Sequence, residues 1–140
     1  MGDRIDYFSG DYRFLSNFWP SEVNFNGVTY TTVEHGYQAA KTLSDSERLW
    51  IKASPTPGVA KRRGKEVTLR EDWEQVKLYV METLLRLKFS DPELCFKLLL
   101  TGNAELIEGN TWGDTYWGVC RGRGSNNLGK LLMKIREVLR

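Results

Sequence analysis

The sequence predicts an α+β domain in which helices pack around a small β-sheet. Two observations predict this class. Apolar residues recur at helical spacing over much of the chain, and apolar and polar residues alternate on either side of an early Asn-Gly pair. The chain has 140 residues. That length is typical of one domain, and such a chain buries about two-thirds of its unfolded surface. We therefore assign residues 1–140 to a single domain.

The first part of the chain, residues 4–30, is expected to be extended. In VNFNGVTY, Asn26-Gly27 lies between two alternating segments, which is a strong signal for a β-hairpin with a type I′ turn. Upstream, RFLSNF sets Ser16 and Asn17 between aromatic residues, after a predicted strand. These two residues either turn the chain or present polar groups to a ligand, and the local sequence favours neither.

Six helices are predicted after the hairpin. Ser44 opens a capping box, and Pro92 lies in the first turn of a helix that stops at Gly102. A helix around Trp73 shows the clearest recurrence of apolar residues. The expected helices cover residues 32–42, 44–52, 58–65, 70–89, 91–101 and 128–139, with a short strand at 105–108.

Composition excludes several functional classes. With 20 basic and 18 acidic residues, the net charge of +2 gives no general argument for binding nucleic acid or a membrane. No run approaches the ~18 apolar residues of a transmembrane helix, and MGDRIDYFSG lacks the apolar region of a signal peptide. Cys95 and Cys120 form no CxxC pair, and one histidine leaves no convincing zinc set. We expect a reduced, cytoplasmic protein with no membrane partner, no metal and no cofactor.

The segment TTVEHGYQAAK carries the first candidate site. At about 100° per residue, Glu34, Gln38 and Lys41 lie within roughly 40° to either side of one direction on the predicted helix. A structural alternative exists, because Thr31-x-x-Glu34 matches a capping box and Lys41 suits the carboxyl end of a helix. The sole histidine, His35, is expected to pack or to form a hydrogen bond rather than to bind a metal.

A second candidate is the loop TWGDTYWG with the following GRGSNNLGK. Free amides at a helix start near Asn126 or Asn127 would form an anion site, with glycines on both sides. Tyr116 and Trp117 lie upstream as rings on which a base would stack, and Asp114 is an acid or a hydroxyl acceptor. The alternative is an ordinary glycine-rich connection capped by asparagine.

A third candidate, VAKRRGKEV, holds four basic residues within five positions. Such a run is usually a solvated helix face, and we favour that interpretation.

Short motifs taken together resemble the NADAR superfamily, also called YbiA-like. They are SNF at 16–18, VEHGYQAAK at 33–41, LREDW at 69–73, VMETLLRLKF at 80–89, LLLTG at 98–102, GDTYWG at 113–118 and NNLGKLLMKIRE at 126–137. The motifs span nearly the whole chain, and their order and spacing are similar to those of a minimal single-domain member of the family.

The resemblance implies an α+β fold and an N-glycosidase activity. One branch of the family cleaves early riboflavin-biosynthesis intermediates, which are ribose-phosphate derivatives of a pyrimidine. Another removes ADP-ribose from modified guanine in nucleic acid. The expected partner is therefore a small-molecule ribose phosphate or ADP-ribosylated guanine in nucleic acid.

The resemblance also implies site residues. Glu34, Gln38 and Lys41 match the family's E-x-x-x-Q-x-x-K helix. The other matching positions are Ser16 and Asn17 of the Ser-Asn turn, Asp114, Tyr116 and Trp117 of D-x-Y-W-G, and Asn127 and Gly129 of the last helix. Glu34, Lys41 and Asp114 are then the expected catalytic residues, and the remaining ones are expected to bind substrate.

Chemistry gives these residues roles. An N-glycosidic bond breaks with positive charge developing at C1, which a carboxylate such as Glu34 stabilises, with Asp114 as second choice. A lysine of lowered pKa attacks C1 and holds the sugar as a Schiff base, a role that we assign to Lys41. Lys61 or Lys65 could instead bind the phosphate of the substrate. Two other functions remain open: a module that binds ADP-ribose or NAD without cleaving it, and an inert scaffold.

Overall fold

The computed structural model describes residues 3–140 and confirms the α+β class. Met1 and Gly2, which open the segment considered for a signal peptide, lie outside the described residues. The helices are α1 Val33–Ala39, α2 Asp45–Lys52, α3 Pro57–Arg63, α4 Trp73–Lys88, α5 Pro92–Leu100 and α6 Asn127–Leu139, with a 3-10 helix at Gly10–Leu15. The strands are β1 Arg4–Ile5, β2 Val23–Phe25, β3 Val28–Tyr30, β4 Glu105–Leu106, β5 Gly109–Asn110 and β6 Val119–Cys120.

The strands do not form the one small sheet that was expected. Between residues 3 and 140 they make three separate two-stranded ladders: antiparallel β2–β3, parallel β1–β4 and parallel β5–β6. The β2–β3 hairpin was predicted, and both Asn26 and Gly27 have positive φ, at 54° and 81°, as a type I′ turn requires. The β5–β6 pair lies within a segment that was expected to be loop.

The 3-10 helix interrupts residues 4–30, so the prediction of an extended segment is wrong there. Phe14 and Leu15 are adjacent, and both are buried, at 5% and 0% exposure. Consecutive strand residues point to opposite faces, so a strand with one buried face would expose one of the two. A tight helical turn buries both side chains.

The first helix is shorter than predicted. α1 ends at Ala39, and the amides of Lys41 and Thr42 donate to carbonyls three residues back, at 3.2 and 3.3 Å. The chain therefore tightens into a 3-10-type turn, and Lys41 lies in that turn.

The described chain divides into two compact units. The central unit is Asn17–Lys88, and the terminal unit joins the segment that ends at Ser16 to Phe89–Arg140. In the central unit α2, α3 and α4 pack against α1, and all seven residues of α1 are buried. This buried helix carries Glu, His and Gln side chains, and buried polar groups need hydrogen-bond partners. α1 is therefore a candidate position for a functional site.

The terminal unit has its own core. α5 and α6 pack together, and α6 also covers β4. Leu98, Leu106, Leu132 and Ile135 are at most 1% exposed. In residues 3–140, no helix has both the length and the apolar content needed to cross a bilayer.

Candidate active site

The start of α1 is capped by Thr32, which corrects the proposed Thr31–Glu34 capping box. The Thr32 hydroxyl oxygen accepts from the His35 amide at 3.0 Å and lies 2.7 Å from His35 Nδ1. His35 Nε2 lies 2.9 Å from the Ser54 carbonyl oxygen. Because a carbonyl only accepts, Nε2 carries a proton and donates it to Ser54. His35 forms hydrogen bonds within the protein, as expected.

A buried carboxylate–amide pair lies on α1. Glu34 is 7% exposed and Gln38 is 4% exposed, and Gln38 Nε2 donates to Glu34 Oε2 at 2.6 Å. The Glu34 amide donates to the Asn17 carbonyl at 3.1 Å, which fixes the start of the helix against the Ser-Asn turn. Because removing a carboxylate from water is costly, the short bond from Gln38 both stabilises Glu34 and orients it.

Lys41 is a half-buried amine close to this pair. Burial is the largest cause that lowers the Lys41 pKa, and the positive charges of Lys65, Lys61 and Lys77 lower it further. Glu34 acts in the opposite direction. A lowered pKa increases the neutral fraction of the amine at a given pH, and the neutral amine is the nucleophile.

Aromatic rings lie beside Lys41. Its Nζ is 5.7 Å from the centroid of the Tyr37 ring, and that ring packs against Trp73 at 5.2 Å. The backbone of Lys41 is also fixed, since the Arg70 amide donates to its carbonyl at 2.7 Å. The amine therefore projects from a rigid support.

Two buried amide oxygens have no hydrogen-bond partner in the described part of the chain: Asn17 Oδ1 and Gln38 Oε1. Buried acceptors in native proteins usually have partners, so these two atoms are candidates for a hydrogen bond from a ligand or a water. Gln38 Oε1 lies against the backbone of Gly64, where an added Cβ would overlap it. The glycine at position 64 thus makes room for the Gln38 side chain.

Asp114 organises a loop of the terminal unit. Its Oδ1 accepts from the amides of Tyr116 and Trp117 at 3.1 and 2.9 Å, and its own amide donates to Asn110 Oδ1 at 3.0 Å. The Tyr116 and Trp117 rings meet edge to face, with centroids 4.7 Å apart. Asp114 therefore has a structural task whether or not it also acts as an acid.

The start of α6 is not the open set of amides that the sequence suggested. The amides of Asn127 and Leu128 donate to the carbonyls of Tyr116 and Trp117 at 3.2 and 2.9 Å. Asn127 Nδ2 also donates to the Tyr116 carbonyl, at 2.9 Å. These bonds hold the aromatic loop, so a role of Asn127 in binding substrate stays a prediction.

Asn126 and Gly129 position the start of α6 against the segment around Leu106. Asn126 has a left-handed backbone and makes no side-chain cap. Its side chain instead accepts from the Glu108 amide at 3.0 Å and donates to the Leu106 carbonyl at 2.9 Å. A Cβ on Gly129 would overlap that same carbonyl, so glycine permits the close approach. The substrate contact expected of Gly129 likewise stays a prediction.

The ten residues predicted for the site are therefore divided between the two units. Asn17, Glu34, Gln38 and Lys41 belong to the central unit and are brought together there. The terminal unit holds Ser16, which ends the 3-10 helix, together with Asp114, Tyr116, Trp117, Asn127 and Gly129.

Sequence reasoning missed Lys77 and the packing role of Gly64. Lys77 lies one helical turn after Trp73 in an apolar helix, outside every motif. Lys77 follows Trp73 by four residues, and this helical spacing indicates that the two side chains lie on the same face of α4. Across residues 3–140, no group of three or more His, Cys, Asp or Glu side chains is arranged to hold a metal ion.

The chain is similar to proteins of one known domain family. The model of the NADAR domain family matches residues 7–140. The chain is 44% identical over 137 residues to the N-glycosidase YbiA of Escherichia coli strain K12, covering 94% of this chain and 84% of that protein. An N-glycosidase of Nostoc punctiforme is 36% identical over 136 residues, covering 92% and 86%.

Two further similarities concern a longer protein and a solved structure. A riboflavin biosynthesis protein of Vibrio vulnificus is 35% identical over 135 residues, which are 92% of this chain and 36% of that protein. The NMR structure of E. coli YbiA superposes with a TM-score of 0.87 at 40% identity, covering 99% of this chain and 86% of that one.

Proposed function

Because this chain belongs to the NADAR domain family, we propose that it is an N-glycosidase that hydrolyses the bond between a ribose phosphate and a nitrogen-linked base. Two relatives that it matches over most of their length are named N-glycosidases, which supports hydrolysis of an N-glycosyl compound. The observation that carries the catalytic assignment is the buried, hydrogen-bonded Glu34 within electrostatic range of Lys41, whose pKa is lowered.

The first half-reaction exchanges one amine for another at C1. The glycosyl amine opens to an imine, and the neutral Nζ of Lys41 adds to C1. Glu34 carries one proton from Nζ to the nitrogen of the base as the addition product forms. The second proton of Nζ follows as the bond from C1 to that nitrogen breaks, and the base leaves as a neutral amine. The sugar remains as a Schiff base on Lys41, so no free cation forms at C1.

The second half-reaction is hydrolysis. Water adds to C1 of the Schiff base while Glu34 accepts its proton. Glu34 passes that proton to Nζ, and the proton of the new C1 hydroxyl follows as the bond from C1 to Nζ breaks. The sugar is released as its aldehyde, and Lys41 returns to its neutral amine. Gln38 holds the Glu34 carboxylate in place through both steps, because its Nε2 donates to Oε2 at 2.6 Å.

Other residues are proposed to bind the substrate. Asn17 Oδ1, a buried acceptor without a protein partner in residues 3–140, suits a ribose hydroxyl. Ser16 precedes it in the turn and supplies a second polar group. Stacking of the base on Tyr116 and Trp117 stays a prediction from the family resemblance, since aromatic faces suit such a contact.

The substrate that we favour is the pyrimidine ribose phosphate of riboflavin biosynthesis. The supporting observation is that the chain is similar to a protein of Vibrio vulnificus named for that pathway. ADP-ribosylated guanine in nucleic acid is the second candidate, favoured by the basic run Lys61–Lys65.

Intact mass after incubation with each substrate and borohydride tests the mechanism. We expect a reduced sugar adduct on the wild-type protein, no adduct and no turnover with Lys41→Ala, and a much slower reaction with Glu34→Gln. Lys52→Ala, an exposed lysine on α2, is the matched control and should react normally. Normal turnover by Lys41→Ala would overturn the Schiff-base assignment. Full recovery of intact, bound ligand would instead identify a binding module.

A further inference from the structure

Two elements of the central unit carry lysines to the Lys41 end of α1. Gly64, which ends α3, lies against the Gln38 side chain, and Lys61 and Lys65 lie on either side of that glycine in the sequence. On α4, Lys77 lies one turn after Trp73, whose ring packs on Tyr37.

These lysines create a positive field around Lys41. Lys65, Lys61 and Lys77, in decreasing order, all act electrostatically on the Lys41 amine, and each lowers its pKa. Lys77 also contacts Glu74, with Nζ 2.8 Å from Oε1, and its side chain is 15% exposed. Like charges near one another repel, so the binding of an anion beside these lysines is electrostatically favourable.

The anion must fit the reaction proposed above, on which this inference rests. A phosphate ester carries about −1.5 to −2 charges at pH 7, and lysine binds phosphate as a point charge. In ribose 5-phosphate the phosphate lies at the opposite end of a five-carbon chain from C1. Holding the phosphate therefore restricts where C1 can reach.

We propose that Lys61, Lys65 and Lys77 form a phosphate site that selects ribose 5-phosphate derivatives and places C1 at the Lys41 amine. The three lysines are positioning and specificity residues, and Lys41 is the group that reacts. This site differs from the one that the glycine-rich loop suggested, where the amides of Asn127 and Leu128 already donate to carbonyls.

A phosphate bound at this place would counteract only part of what lowers the pKa of Lys41. A bound dianion offsets part of the field of the lysines. Burial, however, is the largest cause of the lowered pKa of Lys41, and it persists in the complex.

Ribose 5-phosphate and ribose both present an aldehyde and differ by the phosphate. Because the 5-phosphate blocks the pyranose ring and so increases the open-chain fraction, the comparison of wild-type protein with the lysine variants is the decisive one. With cyanoborohydride, wild-type protein should form the ribose 5-phosphate adduct at a concentration at least about tenfold lower than it needs for ribose. Lys65→Met should raise the required concentration of ribose 5-phosphate by about tenfold more than that of ribose, because a change in the pKa of Lys41 affects both sugars alike. Lys61→Met and Lys77→Met should show the same pattern more weakly, Lys65→Arg should restore most of the affinity, and Lys52→Met should have no effect.

A second probe separates this inference from the proposed function. Ribitol 5-phosphate lacks the aldehyde, so its binding by calorimetry requires the phosphate site and no chemistry at Lys41. If ribitol 5-phosphate binds the wild-type protein and loses affinity in Lys65→Met while no adduct forms, the phosphate site stands and the Schiff-base mechanism fails. If adducts form equally from ribose and ribose 5-phosphate, and the three lysine variants match the wild type, the phosphate site is wrong.

Discussion

At the scale of single residues, Glu34 and Lys41 depend on each other. Glu34 favours the ammonium form of Lys41, whereas burial and three lysines favour the neutral amine. Gln38 holds the carboxylate on which this balance rests. The chemistry proposed for the pair requires both a proton carrier and a neutral amine, so a substitution of either residue should affect the other.

The pH dependence of Lys41 is the first prediction. Removing the negative charge in Glu34→Gln should lower the pKa of Lys41, and removing a positive charge in Lys65→Met should raise it, because these groups act in opposite directions. The rate at which an acylating reagent modifies Lys41 should therefore reach its half-maximum at lower pH in the first variant and at higher pH in the second. Lys61 and Lys77 remain in both variants as a constant background. Shifts in the reverse directions would contradict this account of the site.

The sequence predicted the grouping of Glu34, Gln38 and Lys41 better than the contacts around it. Glu34, Gln38 and Lys41 follow from helical spacing, which is a local property of the chain. The unpartnered oxygen of Gln38, the lysine at position 77 and the occupied amide of Asn127 all depend on segments distant in sequence. The spacing of residues along the sequence does not predict contacts between distant segments.

At the scale of elements, local signals determined most helix ends. Ser44, Thr56 and Asp91 each accept a hydrogen bond from the backbone amide three residues on, as N-caps do. Two differences from the predicted elements have causes in tertiary packing. The 3-10 helix at residues 10–15 buries two adjacent apolar side chains, and α1 gives way to a turn held by Arg70.

The contact between α3 and α1 supplies a second prediction. Gly64→Ala should lower both stability and turnover, because the new Cβ would displace the Gln38 side chain and with it the Glu34 carboxylate. We expect a loss of about 1–3 kcal/mol in the free energy of unfolding, measured by urea titration. Gly58→Ala is the matched control on the same helix, since its Cβ meets its nearest neighbour at 3.8 Å. Equal effects of the two substitutions would rule out the overlap at Gly64.

The Asp114 loop supplies a third prediction, which separates structure from catalysis. Asp114→Asn keeps an oxygen that accepts from the amides of Tyr116 and Trp117, whereas Asp114→Ala removes it. If Asp114 only holds the loop, Asp114→Asn should retain most of kcat and Asp114→Ala should lose stability. A loss of kcat by more than about a hundredfold in Asp114→Asn, with an unchanged melting temperature, would make Asp114 an acid in the reaction.

At the scale of the whole molecule, one buried charge should govern stability at alkaline pH. Lys88 is 0% exposed, and burial lowers its pKa to about 7 from the ordinary value of 10.5. Between these values the unfolded chain binds more protons than the folded one. The free energy of unfolding should therefore rise with pH, by at most about 1.4 kcal/mol per pH unit from this group.

Urea unfolding of wild-type protein and Lys88→Met at pH 7 and pH 9.5 measures this fourth prediction. The wild type should gain stability relative to the variant on going to the higher pH, whatever the variant loses in packing. Lys52→Met, at an exposed position, should follow the wild type. Parallel pH dependence of the wild type and Lys88→Met would show that Lys88 titrates alike in both states.

The sealed position of His35 offers a built-in spectroscopic reporter. The chain has a single histidine, so its imidazole resonances need no assignment by mutagenesis. The proton on Nε2 is held by the Ser54 carbonyl, and the ring is 1% exposed, so this proton should exchange slowly with solvent and give one resolved NMR signal. Its persistence in a variant would show that α1 is still seated. Inactive proteins could then be sorted into those with a damaged scaffold and those that have lost only their chemistry.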